Sequence, residues 1–182
     1  MNALLSQVER LDQAREEDVR LYEEAFYRAF APRSNPGIRT IWIWDDKSQR
    51  LKTRIPYEDQ DVFFIRDERG LVETGLAVNR ACRQFQSGAY GFQRPQYPQW
   101  VEVLAVFNLA KDSRKPVLAA VEKSHQVLLA RGWEQFYVYA TCPQYSLNWN
   151  LKRGWEIAEK SERDSVIRYF LRMSISRSFV SK

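Results

Sequence analysis

The alternation of apolar and polar residues predicts a helix and then antiparallel strands in the first half of the chain. Between Leu5 and Phe30, apolar residues recur at a spacing that is typical of one or two amphipathic helices. Two prolines and a glycine in residues 31–37 end that pattern. Runs rich in β-branched and aromatic residues then predict three strands, at Ile38–Trp44, Asp61–Glu68 and Leu71–Asn79.

The second half of the chain predicts a strand, a helix and a parallel strand. They cover Val101–Phe107, Val117–Gly132 and Phe136–Thr141. A unit of this kind has a right-handed crossover, and ligands bind in the crevice at the carboxyl ends of its strands. A short helix ending near Gly154 and two further strands complete the pattern. We therefore expect the functional site at the turn Asn108–Pro116.

Residues 81–100, before the central strand, mix glycine and proline with aromatic residues and predict an irregular loop. Two interpretations are open: the loop covers a binding site, or its aromatic side chains pack on the sheet. The aromatic content of the whole chain, 14% with six Trp, also has two interpretations. Large aromatic residues fill a core, or they line a groove for an acyl chain, an aromatic substrate or stacked bases.

Composition and charge narrow the range of functions. The length of 182 residues fits a single domain, residues 1–182. The formal net charge of +5 favours anionic partners: phosphate-bearing cofactors, nucleic acid or anionic lipid. The single histidine, His125, excludes a histidine-rich metal site and is predicted to be an exposed helix residue. Cys82 and Cys142 lack metal-ligand spacing and indicate passive thiols in a reducing compartment. No apolar run approaches the roughly 20 residues of a membrane span, so we expect a soluble, cytoplasmic protein without a metal.

The order of elements resembles that of the GNAT N-acyltransferase superfamily over nearly the whole chain. The strand Glu102–Phe107, the helix Val117–Gly132 and the sequence NLKRGWEI at 150–157 carry the resemblance. The short sequences LAV, PQYS and RGW also resemble those of the branch that makes long-chain N-acyl amino acids. The resemblance implies an α/β (α+β) fold with a mixed central sheet of six to seven strands, splayed parallel central strands and helices on both faces. A homodimer is compatible with it.

The resemblance also implies direct acyl transfer to an amine from acetyl-coenzyme A or another acyl thioester, carried on coenzyme A or on an acyl carrier protein. The pantetheine arm of the donor would lie between the splayed strands, against the backbone of Leu104, Ala105 and Val106. The pyrophosphate would cap the next helix, where free N–H groups and the helix dipole favour an anion.

The phosphate turn departs from the family pattern, because family members carry glycines there and this chain has none between Gly91 and Gly132. Side-chain charge is the expected substitute. The alternative is a solvated basic turn whose site has decayed. The candidate phosphate-binding residues are Lys111, Ser113, Arg114, Lys115 and Val117.

A second departure concerns the proton that the leaving thiolate takes up. In many family members a tyrosine supplies it, four residues before the glycine of the Gly-Phe ending. Here Gly154 places Asn150 in that slot. An amide donates a hydrogen bond but is not a useful acid, so Asn150 is a candidate for donor binding only. Tyr145 is the candidate acid, and packing of its ring on the sheet is the alternative.

The acceptor amine arrives protonated and needs a base. Glu102 is the first candidate, since it is expected to share a strand face with Leu104 and Val106, and desolvation there would raise its pKa. Glu73 is the second candidate. For both, the alternative is a carboxylate in water or paired with an arginine.

These features together predict an acyltransferase that acts on an amine. Two other classes stay open. One is a binding or regulatory module of the same fold that has lost catalysis and does not bind coenzyme A. The other is a basic protein associated with nucleic acid, which would show steep salt dependence, although no recognisable nucleic-acid motif supports it.

Overall fold

The structure, a computed structural model, describes residues 2–33, 39, 41–110, 113–163 and 165–176. Within these residues, the α-helices longer than a single residue are α1 (Asn2–Leu5), α2 (Glu16–Phe30), α3 (Lys115–Ala130) and α4 (Gln144–Leu151). The strands are β1 (Glu9–Arg10), β2 (Trp42–Asp45), β3 (Arg50–Thr53), β4 (Gln60–Arg66), β5 (Val72–Asn79), β6 (Trp100–Asn108), β7 (Gln135–Pro143), β8 (Glu156–Arg163) and β9 (Val166–Ser176). Short 3₁₀ helices span Ala31–Arg33, Tyr57–Asp59 and Gln86–Tyr90.

Seven strands form one mixed sheet in the order β1-β4-β5-β6-β7-β9-β8, and β2 and β3 form a separate hairpin. Neighbours in the sheet are antiparallel except β6 and β7, which are parallel and are connected through α3. The strand, helix and parallel strand predicted for the second half of the chain are confirmed. The predicted mixed sheet of six to seven strands is confirmed as well.

The first part of the chain differs from the prediction in two places. Residues 6–15 are not helical, because the chain there extends into β1, which pairs with Phe63 and Phe64 of β4. The predicted strand Ile38–Trp44 corresponds to β2, and residues 38 and 40 lie outside the described residues. β2 pairs with β3, which the pattern missed because its sequence, RLKT, has little apolar signal.

Both faces of the sheet are covered. Along β4, alternate side chains point to opposite faces, as the period of a strand requires. The first face packs against α2 and the β2–β3 hairpin, and its core includes Tyr22, Phe26, Trp42, Leu51, Val62, Phe64, Ala77 and Phe107. The second face packs against α3 and α1, and its core includes Phe63, Ile65, Leu76, Val101, Ala119, Leu128, Phe136 and Val138. The predicted helices on both faces are confirmed.

A buried carboxylate connects several elements at one end of the sheet. Asp61 of β4 is 2% exposed and accepts hydrogen bonds from Arg10 (2.5 Å) and from Arg131 just after α3 (2.6 and 3.0 Å). Arg80, just after β5, lies 3.5 Å from the same carboxylate. Burial alone would raise the pKa of Asp61. The hydrogen bonds and charges of Arg131 and Arg10 outweigh burial and hold that pKa below its usual value.

Replacing Asp61 by Asn leaves the guanidinium groups of Arg10 and Arg131 without their carboxylate. We expect the free energy of unfolding at pH 7 to fall by roughly 2 to 4 kcal/mol, since removing one partner of a buried ion pair is costly. A carboxylate with a lowered folded pKa stabilises the fold above its unfolded pKa of about 3.9, and this contribution is lost as the pH falls through the folded pKa. Urea unfolding should show the two proteins converging in stability below about pH 4.

Asp46→Asn is the matched control, because the ion pair of Asp46 with Arg39 is 54% and 44% exposed. Its free energy of unfolding should change by less than about 1 kcal/mol. An Asp61→Asn protein that is as stable as the wild type at pH 7 would contradict the assignment.

Candidate functional site

The two parallel strands part in the middle of the sheet. They are paired only over Trp100–Val103 of β6 and Tyr137–Ala140 of β7. Beyond these residues β6 stays paired with β5 as far as Asn108, and β7 stays paired with β9 as far as Pro143. The edges of β6 and β7 that face each other therefore border an open crevice, and the predicted splay of the central strands is confirmed.

A β-bulge in β6 determines which side chains reach the crevice. Leu104 is the extra residue between the pairs that Val103 and Ala105 make with β5. Leu104 and Ala105 are both buried in the core of the first face, whereas the side chain of Val106 is 42% exposed. The expectation that Glu102, Leu104 and Val106 share one strand face is wrong, because the bulge interrupts the alternation of side chains.

The turn between β6 and α3 is held in place by its own polar side chains. The amide of Asn108 donates to the backbone carbonyl of Ser113 (2.6 Å). The hydroxyl of Ser113 accepts from the backbone N–H of Lys115, the first residue of α3, at 3.2 Å. The N–H of Val117 lies in the first helical turn, where no carbonyl of the helix reaches it. This end of α3 thus has the free N–H and the dipole that attract an anion.

Two arginines and Trp149 connect this turn to α4. The guanidinium carbon of Arg114 lies 5.1 Å from the centroid of the Trp149 ring, and that of Arg153 lies 3.7 Å away. Both arginines and Lys115 are exposed. Since Arg114 follows the carboxyl end of β6 and α4 follows that of β7, positive charge lies at the open end of the crevice. The sequence reasoning missed Arg153, although it belongs to the NLKRGWEI motif, and Lys111 lies outside the described residues.

The two candidates on α4 have different environments. The side-chain amide of Asn150 donates to the backbone carbonyl of Ser146 (3.0 Å), so this group is bonded within its own helix. Tyr145 is 87% exposed at the first turn of α4 and does not pack on the sheet. Within the described residues its hydroxyl has no hydrogen bond, which leaves it available to a ligand.

Glu73 lies beside the turn between β6 and α3 and away from Glu102. Its backbone carbonyl accepts from the N–H of Leu109, at the end of β5 next to the turn. Glu102 pairs with Asn79 at the other end of β5, which is about 20 Å along the strand. The structure therefore does not bring the two predicted candidate bases together.

Glu102 is fully buried, with 0% of its surface exposed. Its carboxylate accepts from the backbone N–H groups of Ser87 (2.7 Å) and Gln86 (3.0 Å) and from the side-chain amide of Asn79 (3.4 Å). Burial raises the pKa of Glu102, and the hydrogen bonds from Ser87, Gln86 and Asn79 offset only part of that effect. The alternative of a carboxylate in water or paired with an arginine is wrong for this residue.

A pair of hydroxyl groups connects Glu102 to the crevice. The Ser87 hydroxyl is hydrogen-bonded to the hydroxyl of Thr141 at 2.7 Å. Thr141 is the first residue of β7 beyond Ala140, where the pairing with β6 ends. The sequence reasoning missed both residues. Ser87 lies in an irregular loop, and no spacing in the sequence indicates that this loop meets β7.

The loop of residues 81–100 packs its aromatic side chains on the sheet and also borders the crevice, so both interpretations hold in part. Phe85 packs edge-on against Phe170 of β9, with ring centroids 5.6 Å apart. Phe92 stacks on the same ring, with centroids 5.2 Å apart. Trp100 and Tyr139 complete this aromatic cluster on the sheet. Between the two phenylalanines, the 3₁₀ turn brings the backbone N–H groups of its first residues to Glu102. The aromatic residues are structural, and they hold a polar segment next to the crevice.

His125 faces inward, which corrects the prediction that it is exposed. It lines a cavity of about 30 Å³ between α3 and the second face of the sheet, where Val103 belongs to the last parallel pair of β6 and β7 and Val138 to an earlier one. Burial lowers the pKa of His125 to about 4. The remaining lining is almost wholly apolar: Leu76, Val78, Val101, Val121, Ser124, Leu128 and Trp155.

Neither cysteine has the features of a nucleophile. Burial raises the pKa of Cys142, and burial and the charge of Glu102 raise that of Cys82 to about 12. Both thiols are free. In the described ranges, no group of three or more His, Cys, Asp or Glu is arranged to bind a metal ion. None of the described helices is both long enough and apolar enough to cross a membrane.

Comparison with known proteins gives a clear answer for the fold. No protein-family model matches the chain, and no curated protein matches it by sequence. A CoA-dependent acyl-homoserine lactone synthase, solved with SAM and isopentyl-CoA, superimposes with a TM-score of 0.71 at 15% identity, covering 96% of this chain and 86% of that one.

Two N-acyltransferases superimpose as well. The ribosomal-protein-S18-alanine N-acetyltransferase from Escherichia coli has a TM-score of 0.58 at 11% identity and covers 93% of each chain. An acyl-CoA N-acyltransferase from Pseudomonas aeruginosa has a TM-score of 0.55 at 12% identity, covering 91% of this chain and 98% of that one. At these identities the likeness shows the fold alone. The chain has the GNAT-like acyltransferase fold, as its order of elements predicted.

A His125→Phe variant tests the burial of the imidazole. A histidine with a lowered folded pKa stabilises the fold above its unfolded pKa of about 6.5, and this contribution is lost as the pH falls toward the folded pKa. We expect the wild type to lose about 1 to 2 kcal/mol relative to the variant between pH 7 and pH 5. Urea unfolding at the two pH values measures this difference.

Because His125 is the only histidine, no other imidazole contributes to the comparison. Gln126→Ala, one residue along the same helix, serves as the control and should show the pH dependence of the wild type. If His125→Phe shows that same pH dependence, the imidazole is not buried in its neutral form.

Proposed function

We propose that this protein is an N-acyltransferase that moves an acyl group from an acyl thioester to an amine. One observation carries the proposal: β6 and β7 stop pairing after Val103 and Ala140, so the backbone of β6 is open to a ligand in the crevice. Buried backbone N–H and C=O groups need partners. The carbonyl of Leu104 already accepts from the side-chain amide of Gln86 (2.9 Å). The amides of a pantetheine arm supply partners for the remaining groups along Leu104, Ala105 and Val106, in the way that a further strand would.

The charge at the open end of the crevice supports a phosphate-bearing donor. Arg114 and Lys115 lie at the N-terminus of α3, and Arg153 contacts the same Trp149 ring as Arg114. The N–H of Val117 belongs to the first turn of this helix. Lys111 and Ser113 remain predicted contacts of the same turn. Side-chain charge replaces the close backbone approach that glycine would allow. Coenzyme A and acyl carrier proteins share the phosphopantetheine arm, so either donor fits this arrangement.

The cavity under α3 supports a short acyl group. It borders the parting point of the strands at Val103, close to where a thioester in the crevice would lie. Its volume of about 30 Å³ matches a methyl group or a single water molecule. The methyl of an acetyl group fills such a space, whereas a longer chain requires neighbouring side chains such as Trp155 to move.

The chemistry needs a base for the amine and a proton for the thiolate. Glu102 is the base, because its raised pKa favours proton uptake. The neutral amine attacks the thioester carbonyl, which free N–H groups of β6 polarise, and the C–S bond breaks as the amide forms. Tyr145, exposed at the start of α4, is the candidate proton donor to the thiolate. Positioning of donor and acceptor in one crevice supplies much of the rate.

We propose that the protein acts in a reducing cytoplasm. The described thiols are both free, and acyl thioesters serve as donors in such compartments. The acceptor belongs to the class of primary amines, and its identity awaits the assay below.

A second function, a binding module without catalysis, is favoured by one feature. Asn150 occupies the slot of the usual acid, and its amide is bonded to Ser146 within the helix. A module of this kind would bind coenzyme A without turnover, or would bind no thioester at all. The two experiments below separate these cases.

The first experiment is calorimetric titration with coenzyme A. We expect the wild type to bind and the double variant Arg114→Ala, Arg153→Ala to bind about tenfold more weakly or worse, because charge-assisted contacts to phosphate are lost. Arg83→Ala is the control: Arg83 is an exposed arginine near the opposite end of the sheet, beside Asp59. Equal weakening in the control would indicate net charge alone, and no binding by the wild type would argue against the donor.

The second experiment measures thiol release and amide formation with acetyl-, butyryl- and octanoyl-coenzyme A and a panel of amino acids and alkylamines. We expect release that depends on the amine and is fastest with the acetyl donor. Val121→Ala enlarges the cavity and should shift the preference toward butyryl by about threefold or more. Leu118→Ala, exposed on the same helix, should not. Binding of coenzyme A without amide formation would favour the module over the enzyme.

A further inference from the structure

Glu102 has no surface in contact with solvent or with the crevice. Its carboxylate is covered by backbone and side-chain donors from β5 and from the 3₁₀ turn that begins at Gln86. A group in this position does not touch an incoming amine. If it takes up the proton of that amine, the proton has to pass through neighbouring groups that lie between the two.

Ser87 is the inner neighbour, in contact with Glu102 on one side and with Thr141 on the other. Its backbone N–H donates to Glu102 at 2.7 Å. This places its hydroxyl next to the carboxylate, where it counteracts part of the rise in the pKa of Glu102 that burial causes. The same hydroxyl is 2.7 Å from that of Thr141. Ser87 is itself 2% exposed, so the pair continues outward only through Thr141.

Thr141 lies where the crevice begins. Ala140 makes the last parallel pair with β6, and Thr141 follows it with a partly exposed side chain. Because side chains alternate along β7, Thr141 shares the first face with Tyr139, on the same side as Glu102. The chain of hydroxyls thus runs from the buried carboxylate to the point where donor and acceptor would meet.

We propose that the hydroxyl groups of Thr141 and Ser87 form a proton relay that carries a proton from the acceptor amine to Glu102. This proposal rests on the proposed acyl transfer and identifies the path that its base requires. The ammonium group gives a proton to the oxygen of Thr141, Thr141 gives its own proton to Ser87, and Ser87 gives its own to the carboxylate. The amine becomes neutral, Glu102 becomes a carboxylic acid, and both hydroxyls are regenerated.

The remaining steps balance without a further reagent. The neutral amine forms the C–N bond as the C–S bond breaks, and the second proton lost from nitrogen neutralises the departing thiolate. Glu102 returns its proton to solvent by the same path in reverse. Ser87 and Glu102 act through Thr141, which is the one member of the relay that touches the acceptor.

Other titratable groups near Glu102 do not supply the same path. Burial first, and then the charge of Glu102, raises the pKa of the Cys82 thiol to about 12. Burial is also the largest cause of the raised pKa of Tyr90. The Cys82 thiol and the Tyr90 hydroxyl therefore stay neutral near pH 7. The charge of Arg94 acts on Cys82 and that of Arg168 acts on Tyr90, and each opposes the rise in pKa. Asn79 donates to the carboxylate and does not titrate.

A purely structural role for the cluster predicts different results from a relay. The backbone N–H groups of Gln86 and Ser87 hold the 3₁₀ turn on Glu102, and side-chain variants retain these two bonds. Thr141→Val keeps the shape of the side chain and removes only the hydroxyl. Thr141→Ser restores the hydroxyl and removes a methyl group, so it is the matched rescue.

The test uses acetyl-coenzyme A with two acceptors, n-butylamine, which is protonated at pH 7, and hydroxylamine, which is largely unprotonated there. Thr141→Val should reduce kcat with n-butylamine at pH 7 by about tenfold or more, with an unchanged KM for the thioester. The loss should disappear with hydroxylamine and shrink as the pH rises. Thr141→Ser should keep most of the wild-type rate with both acceptors.

Two outcomes overturn the relay while leaving acyl transfer intact. One is a Thr141→Val enzyme with the wild-type rate on n-butylamine at pH 7. The other is an equal loss with both acceptors, which indicates a structural role. A wild type that forms no amide with either acceptor or with the amine panel overturns the proposed function itself, and the relay with it.

A measurement without substrate tests the inner half of the relay. Ser87→Ala removes the hydroxyl beside Glu102 and keeps the backbone bond, so the pKa of Glu102 should rise in a carbon-13 titration of the glutamate carboxyl groups. An unchanged titration of Glu102 would show that the Ser87 hydroxyl does not reach the carboxylate, and the relay would fail.

Discussion

The parallel pairing of β6 and β7 covers only Trp100–Val103 and Tyr137–Ala140, and the rest of the molecule is arranged around its end. A sheet normally continues because each unpaired strand edge leaves N–H and C=O groups without partners. Here β5 and β9 keep the outer edges of the two strands paired, so the strands separate without unfolding. The unpaired inner edges become a place that a strand-like ligand can complete. The bulge at Leu104 adds to the effect, because it turns Val106 out of the core.

Glu102 lies next to this opening, and the burial of its carboxylate has two physical consequences. Burying a carboxylate is costly unless donors surround it, and the backbone N–H groups of Gln86 and Ser87 serve that purpose. The same bonds attach the loop of residues 81–100 to the sheet, where Phe85 and Phe92 pack on Phe170. The compensation is incomplete, which leaves the carboxylate with a raised pKa and with an affinity for a proton that an acyl acceptor would have to lose.

The elements that could be predicted are those that local pattern specifies. The buried run of β6, the amphipathic helix α3 and the aromatic run of β7 follow from apolar periodicity, and the order of these elements led to the fold. The charge of Arg114 and Lys115 at the turn was also apparent. His125 was misjudged, because a polar residue in a helix reads as exposed until the neighbouring sheet is known. Ser87, Thr141 and Arg153 were missed, since each acquires its meaning from a partner far away in sequence.

By itself, the sequence determined which segments become helices and strands, because hydrophobic periodicity acts over a few residues. It also determined that the turn after β6 is basic and lacks glycine. Only the tertiary structure decided where β6 and β7 part, that Glu102 is closed off from solvent, and that a serine of an irregular loop meets a threonine of β7 at 2.7 Å. Such contacts join residues that the chain brings together only when the sheet has formed, so no local spacing encodes them.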